Sequence, residues 1–294
     1  MSTPIAHSEE VLTPERRYEL DLKGYFVLKG HYDAAAVAEF HAAIDELQAI
    51  PVEYETYKKL GIASYFLAAA MEDPEHPVWK GEHRADRRPH PQTGGVGRVD
   101  HAICGTDKFD RIVRDPLLKI LHQTLAGGNF YISSTYYIEK WGPARGGILH
   151  NGGYPKDRHF HYEYDHTHGR FLCSSTRSVV ILSDMSTIEK GPFAAIPGSH
   201  KANFPCPYDM ECAEKNPLAV PVFAEPGDVL VFTEGLTHNA FPVMDDSIRR
   251  SVFFNYSPAI DRDNLPGQRM SIYPDHVLER LADQRDILTV AGYI

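Results

Sequence analysis

From Asn129 onward the chain is written in short β-branched and aromatic runs, each closed by Gly, Pro, Asn or Asp. Runs of this length and texture cannot make long helices, and they predict an all-β sandwich or barrel. The strands expected are 130–138, 178–182, 192–196, 220–223, 229–232 and 251–256. In DVLVFT the apolar residues do not alternate with polar ones, as expected for a strand buried on both faces. The first third reads differently. Thr13-Pro14-Glu15 is a helix start and Gly24 a stop before the apolar run 25–28. Asp33 can cap a helix that carries Val37, Phe40, Ile44 and Leu47 on one face. Residues 74–97, rich in Pro, His and Gly, read as irregular loop, and two short helices broken at Pro116 follow. Helical period returns at 276–282. The fold expected is mainly β with helices: a double-stranded β-helix, or jelly roll, covered by N-terminal helices. A single domain over 1–294 is expected, with a helical part to about 128, a jelly-roll core to about 260 and a C-terminal helix at about 275–286.

Composition narrows the function. Thirty basic against forty acidic residues give a net charge of −10. No basic block supplies the footprint that nucleic acid or an anionic membrane requires. No run of about 18 apolar residues occurs, and the N-terminus has no signal-peptide pattern, so a cytoplasmic protein is expected. Cys104, Cys173, Cys206 and Cys212 are too irregular for a disulfide framework and read as reduced thiols. There is no G-x-G-x-x-G, no P-loop, no H-E-x-x-H and no G-x-S-x-G, which removes the main support for nucleotide, zincin and serine-hydrolase readings. Sixteen histidines remain, and imidazoles ending on facing strands can converge on one metal.

In GDVLVFTEGLTHNAFPVMDDSIRRSVFFNYSP, Gly227-Asp228 is a turn opening a buried strand, His238 lies just beyond that strand, and Arg249 opens the next one eleven residues later. This order resembles the distal half of the active site of the phytanoyl-CoA dioxygenase-like family of Fe(II)/2-oxoglutarate oxygenases, with its G-D-x-[LV]-x-F, then His, then Arg. The resemblance implies that His238 binds iron and that Arg249 pairs with the distal carboxylate of 2-oxoglutarate, helped by Ser251 of an R-x-S element. A planar guanidinium suits a carboxylate because it donates two parallel hydrogen bonds. Residues 182–205, with Pro197-Gly198-Ser199-His200-Lys201, resemble the same family, and there His200 reads as structural. A protein of this kind takes a small-molecule substrate, with Fe(II), 2-oxoglutarate and O2.

The family carries H-x-D as its proximal motif. Here YIEKWGPARGGILHNGG puts His150 ten residues after Lys140, as the family's lead-in does, and Gly152 stands where the carboxylate is expected. H-x-G resembles the Fe(II)/2-oxoglutarate halogenases, in which chloride or bromide takes the anionic position that the carboxylate vacates. Three alternatives stand beside it. His161-x-Glu163 in HFHYEYDHTHG could supply an imidazole and a carboxylate for a hydroxylase, the site could have lost iron, or the chain could be a non-catalytic cupin-like protein that binds a small acid.

Overall fold

The computed structural model describes residues 11–62, 70–80, 95–151, 162–259 and 273–289. In chain order the elements are α1 (Pro14–Lys23), β1 (Tyr25–Leu28), α2 (Ala34–Ala49), α3 (Tyr54–Leu60), β2 (Gly95–Asp100), α4 (Asp110–Val113) and α5 (Pro116–Leu125). Then come β3 (Phe130–Trp141), β4 (Tyr162–Asp165), β5 (Arg170–Cys173), β6 (Thr176–Ile181), β7 (Phe193–Ile196), β8 (Val220–Val222), β9 (Val229–Thr233), β10 (Thr237–Ala240) and β11 (Ile248–Pro258). The helices α6 (Asp275–Arg280) and α7 (Arg285–Leu288) close the series.

Local chemistry sets the helix ends. Thr13 caps α1 through the Arg16 N–H with Pro14 in the first turn, and Gly24, at φ +86°, ends it. A side chain at Gly24 would place its Cβ 2.6 Å from His200 Nδ1, so His200 is packed against the α1–β1 turn, the structural part expected of it. Asp33 caps α2 through the Ala36 N–H, and Val37, Phe40, Ile44 and Leu47 are all buried.

A six-stranded sheet in the order β1-β9-β6-β11-β3-β2 faces a three-stranded sheet in the order β10-β7-β8, and every pairing is antiparallel. The β9 run Val229–Thr233 is buried throughout, which explains its poor alternation. Val229 and Val231 join the core shared with helix residues such as Phe40, Ile44 and Leu121. Leu230 and Phe232 turn the other way, into a second core with Tyr136, Val179, Phe193 and Phe253. Each strand of the large sheet thus has a helix face and an inner face, and the inner face carries the chemistry. The mixed helix and sheet fold matches expectation.

One expectation fails, and two elements are additional to those expected. The 74–97 loop ends early, because β2 begins at Gly95 and pairs with β3; two glycines in Gly95-Val96-Gly97 hid its alternation. His238 lies just beyond β9, as expected, but within a further strand, β10, paired with β7. Tyr162–Asp165 and Arg170–Cys173 form a separate two-stranded hairpin. No helix among the described residues is long and apolar enough to cross a membrane.

Candidate active site

His150 and His238 are brought together by backbone. The His150 N–H donates to the His238 carbonyl at 3.1 Å, and the His238 N–H donates back at 2.8 Å. This bridge fastens the chain around residue 150 to β10, leaving the two imidazoles on one side with ring centroids 4.5 Å apart. The two rings are oriented alike. His150 Nδ1 lies 3.0 Å from the Ile148 carbonyl and His238 Nδ1 2.7 Å from the Leu236 carbonyl. A carbonyl can only accept, so His238 Nδ1 carries the proton and its Nε2 keeps its lone pair free, the tautomer a metal ligand needs; for His150 the carbonyl at 3.0 Å favours the same tautomer over the longer 3.3 Å approach of the Asn239 amide nitrogen. His238 is buried, and burial, then the neighbouring imidazole and Arg177, hold its pKa well below the ordinary value; the more exposed His150 is lowered in the same direction by desolvation from the protein around it. Both are therefore neutral near pH 7. Phe193 stacks on His238 and Phe232 packs tilted against it at 4.6 Å, which fixes the ring.

Among the described residues no third histidine, cysteine or carboxylate gathers with this pair. Gly152 and His161 lie outside the described residues. Glu163 is exposed on β4, paired with Leu172. The tyrosines flanking it, Tyr162 and Tyr164, pack on the core beneath the helices, not on the inner face that carries His238. The structure thus brings together two of the expected ligands and leaves Glu163 apart from them.

Arg249 is buried on the inner face of β11, its Nε 3.4 Å from Met185 Sδ. No described carboxylate pairs with it, and burial pulls its pKa down to about 10. Two residues on, the buried Ser251 hydroxyl has no hydrogen-bond partner among the described residues. A buried cation without a counter-charge and a buried hydroxyl without a hydrogen-bond partner are costly in a folded chain, and an incoming carboxylate would satisfy both. By contrast Arg250 points to the other face, where it pairs with Glu139 and, at 2.8 Å, with Asp45. The donor set fits the expected groups: two neutral imidazoles with Nε2 free for Fe(II), and Arg249 with Ser251 for the distal carboxylate of 2-oxoglutarate.

The sequence reading missed the wall around the pair. Arg177, on β6, donates to the Tyr136 hydroxyl and to Glu234, both at 2.7 Å. Arg98, on β2, sits 3.8 Å over the Tyr136 ring and pairs with Asp100. Lys140 lies directly opposite Arg249 on β3. The signal for Arg177 and Lys140 was present: a long basic side chain in the apolar alternation of a strand costs free energy unless something meets it.

The family model for phytanoyl-CoA dioxygenase matches residues 20–251. The chain belongs to that family, and so to the Fe(II)/2-oxoglutarate-dependent oxygenases. Among solved structures it is similar to HygX from Streptomyces hygroscopicus with nickel and 2-oxoglutarate bound, at 22% identity over 84% of this chain and 87% of that one, with a TM-score of 0.59. The epimerase SnoN in complex with Fe3+, alpha ketoglutarate and nogalamycin RO gives 19% over 87% and 85%, with a TM-score of 0.56. EctD from S. alaskensis with bound Fe gives 20% over 86% and 79%, with a TM-score of 0.57. These likenesses establish the double-sheet fold. A dioxygenase, lolE1 of Epichloe uncinata, is 35% identical over 81 residues, a stretch that is 26% of this chain and about a third (32%) of that protein.

Proposed function

We propose that the protein functionalises an aliphatic C–H bond of a small molecule, using Fe(II) held by His150 and His238, and that it does so by halogenation. The observation that carries this reading is the two-imidazole pair with no described carboxylate beside it and a glycine two residues after His150. A metal position that the protein does not fill with an anion is open to chloride or bromide. When bound, Fe(II) with 2-oxoglutarate and O2 supplies the oxidising power that removes hydrogen from an unactivated carbon. This chain's own contribution is to hold the parts. His150 and His238 bind through Nε2, Arg249 and Ser251 hold the distal carboxylate, and Phe193 and Phe232 screen His238 from water. Arg98 and Arg177, each paired with a carboxylate, line the site beside the imidazoles with polar groups, which favours a polar substrate over a long aliphatic one.

Hydroxylation is the alternative if a carboxylate reaches the metal, and Glu163 of the H-x-E sequence is the candidate for it. Its exposure on β4, away from the histidine pair, supports halogenation instead. A non-catalytic small-acid binder has no need of both the imidazole pair and Arg249.

The test is an anaerobic titration of Fe(II) and 2-oxoglutarate followed by chloride. The halogenase reading expects the absorption of the iron complex to change with chloride in the wild type and not in Gly152→Asp, with Glu163→Ala binding iron normally. A wild-type complex indifferent to chloride, with iron lost in Glu163→Ala, would establish hydroxylation.

A further inference from the structure

Arg249 is not alone at the far end of the inner face. In the β3–β11 ladder Lys140 is its direct partner, and directly opposed residues of an antiparallel pair point to the same side of the sheet. The next inner rows are Ile138 with Ser251 and Tyr136 with Phe253, the last two stacked at 4.7 Å. Tyr136, whose hydroxyl meets Arg177 beside the imidazoles, therefore lies two rows from the cation pair, with the Ile138–Ser251 row between.

Lys140 is 6% exposed. Its ammonium donates one hydrogen bond, to the Arg145 carbonyl at 3.2 Å, and makes no ion pair with any described carboxylate. The charged groups acting on it are Arg249 from β11 and Glu214 from the turn Ala213–Lys215. Two buried like charges on adjacent strands are unfavourable, and a fold retains them where an anion arrives between them.

We propose that Lys140 is a second anchor of the 2-oxoglutarate site, its ammonium clamping the distal carboxylate together with the Arg249 guanidinium and the Ser251 hydroxyl. This rests on the reading of the site given above. The two cations differ in kind. Arg249 stays charged at any physiological pH. Burial first, then Arg249, brings the Lys140 pKa down to about 7, with Glu214 opposing. At neutral pH the empty site is therefore partly uncharged at Lys140, and the dianion draws a proton onto the amine as it binds. Binding of 2-oxoglutarate is thereby coupled to proton uptake, and it weakens as pH rises.

The experiment is calorimetric titration of 2-oxoglutarate into the anaerobic Fe(II)-loaded protein at pH 6, 7 and 8, in buffers of low and high ionisation enthalpy. Wild type should take up about half a proton at pH 7 and close to one at pH 8, with affinity falling up to about tenfold per pH unit above 7. Lys140→Met should bind about 10- to 100-fold more weakly at pH 6, with no proton uptake and a flat pH profile. Lys140→Arg should recover affinity without recovering the proton uptake. A merely structural lysine would not produce that split. Wild type that binds with the same affinity and proton exchange as Lys140→Met overturns the clamp and leaves the site reading intact. Wild type that binds no 2-oxoglutarate at any pH overturns both.

Discussion

Replacing Arg249 with Met should leave the empty protein at least as stable as the wild type while removing its response to 2-oxoglutarate. Arg249 is 4% exposed, and its pKa falls from 12.5 to about 10 through burial alone. A base whose folded pKa is depressed destabilises the fold at every pH below that value, and the penalty fades only as pH rises through the folded pKa toward the unfolded one. At neutral pH the gap corresponds to about 3 kcal/mol, since each pKa unit is worth about 1.4 kcal/mol. Methionine beside Met185 keeps much of the apolar stem and removes the charge, although the smaller side chain gives back part of the gain as lost packing. The apo variant should therefore melt between the wild-type temperature and roughly 5 °C above it, at about 2 °C per kcal/mol for a domain of this size. The ligand response runs the other way. At 100 times its Kd, 2-oxoglutarate adds about 2.7 kcal/mol to the Fe(II)-loaded wild type, and Arg249→Met should show none of it. Differential scanning calorimetry of both proteins, with and without 2-oxoglutarate, reads both effects. An apo variant melting well below the wild type, yet still stabilised by 2-oxoglutarate, would refute the reasoning, because Arg249 would then be a structural cation.

His238→Ala should weaken Fe(II) binding by more than about 100-fold, measured by equilibrium dialysis, because a ligand is lost and not just its support. Arg250→Lys should leave 2-oxoglutarate affinity within about twofold and lower the unfolding free energy by about 1–2 kcal/mol, because only its outer-face contacts with Glu139 and Asp45 are disturbed; a large affinity loss would mean the β11 register is off by one. Acid stability should depend on His122, fully buried between the Thr176 and Ser178 hydroxyls, whose pKa burial lowers to about 3. Because the unfolded chain binds this proton and the native state does not, stability should fall as pH drops from about 6.5 to 3, by up to about 1.4 kcal/mol per pH unit. His122→Gln should flatten that slope in urea titrations at stepped pH, and an unchanged slope would count against the assignment.

The parts of the molecule that were legible in sequence are those governed by local chemistry. Thr13-Pro14 and Gly24 mark α1 because capping acts within a few residues. The buried run of β9 is visible because a strand covered on both faces cannot alternate. His238, Arg249 and Ser251 lie close together in the chain, at the spacing their ladder positions impose. What was hidden depends on partners far away in sequence. Lys140 gains meaning only when β3 and β11 pair, and Arg177 only when Tyr136 and Glu234 reach it across 41 and 57 positions. β10 was hidden because Thr237–Ala240 is short and polar, and it becomes a strand through pairing with β7. The H-x-E pair in HFHYEYDHTHG looked like a metal motif because strand spacing puts its two side chains on one face. Glu163 lies exposed on a hairpin whose flanking tyrosines pack on the helix-side core, and no local signal reports which side a hairpin takes.

The central claim is that the protein supplies two imidazoles to the metal and leaves an anionic position for halide. Anomalous diffraction at the bromine edge, from anaerobic crystals grown with Fe(II), 2-oxoglutarate and bromide, addresses it directly. The account predicts a bromide peak at bonding distance from an iron held by the Nε2 atoms of His150 and His238, next to Gly152. A carboxylate oxygen of Glu163 or of any other residue in that position, with no bromide at the metal, would contradict it.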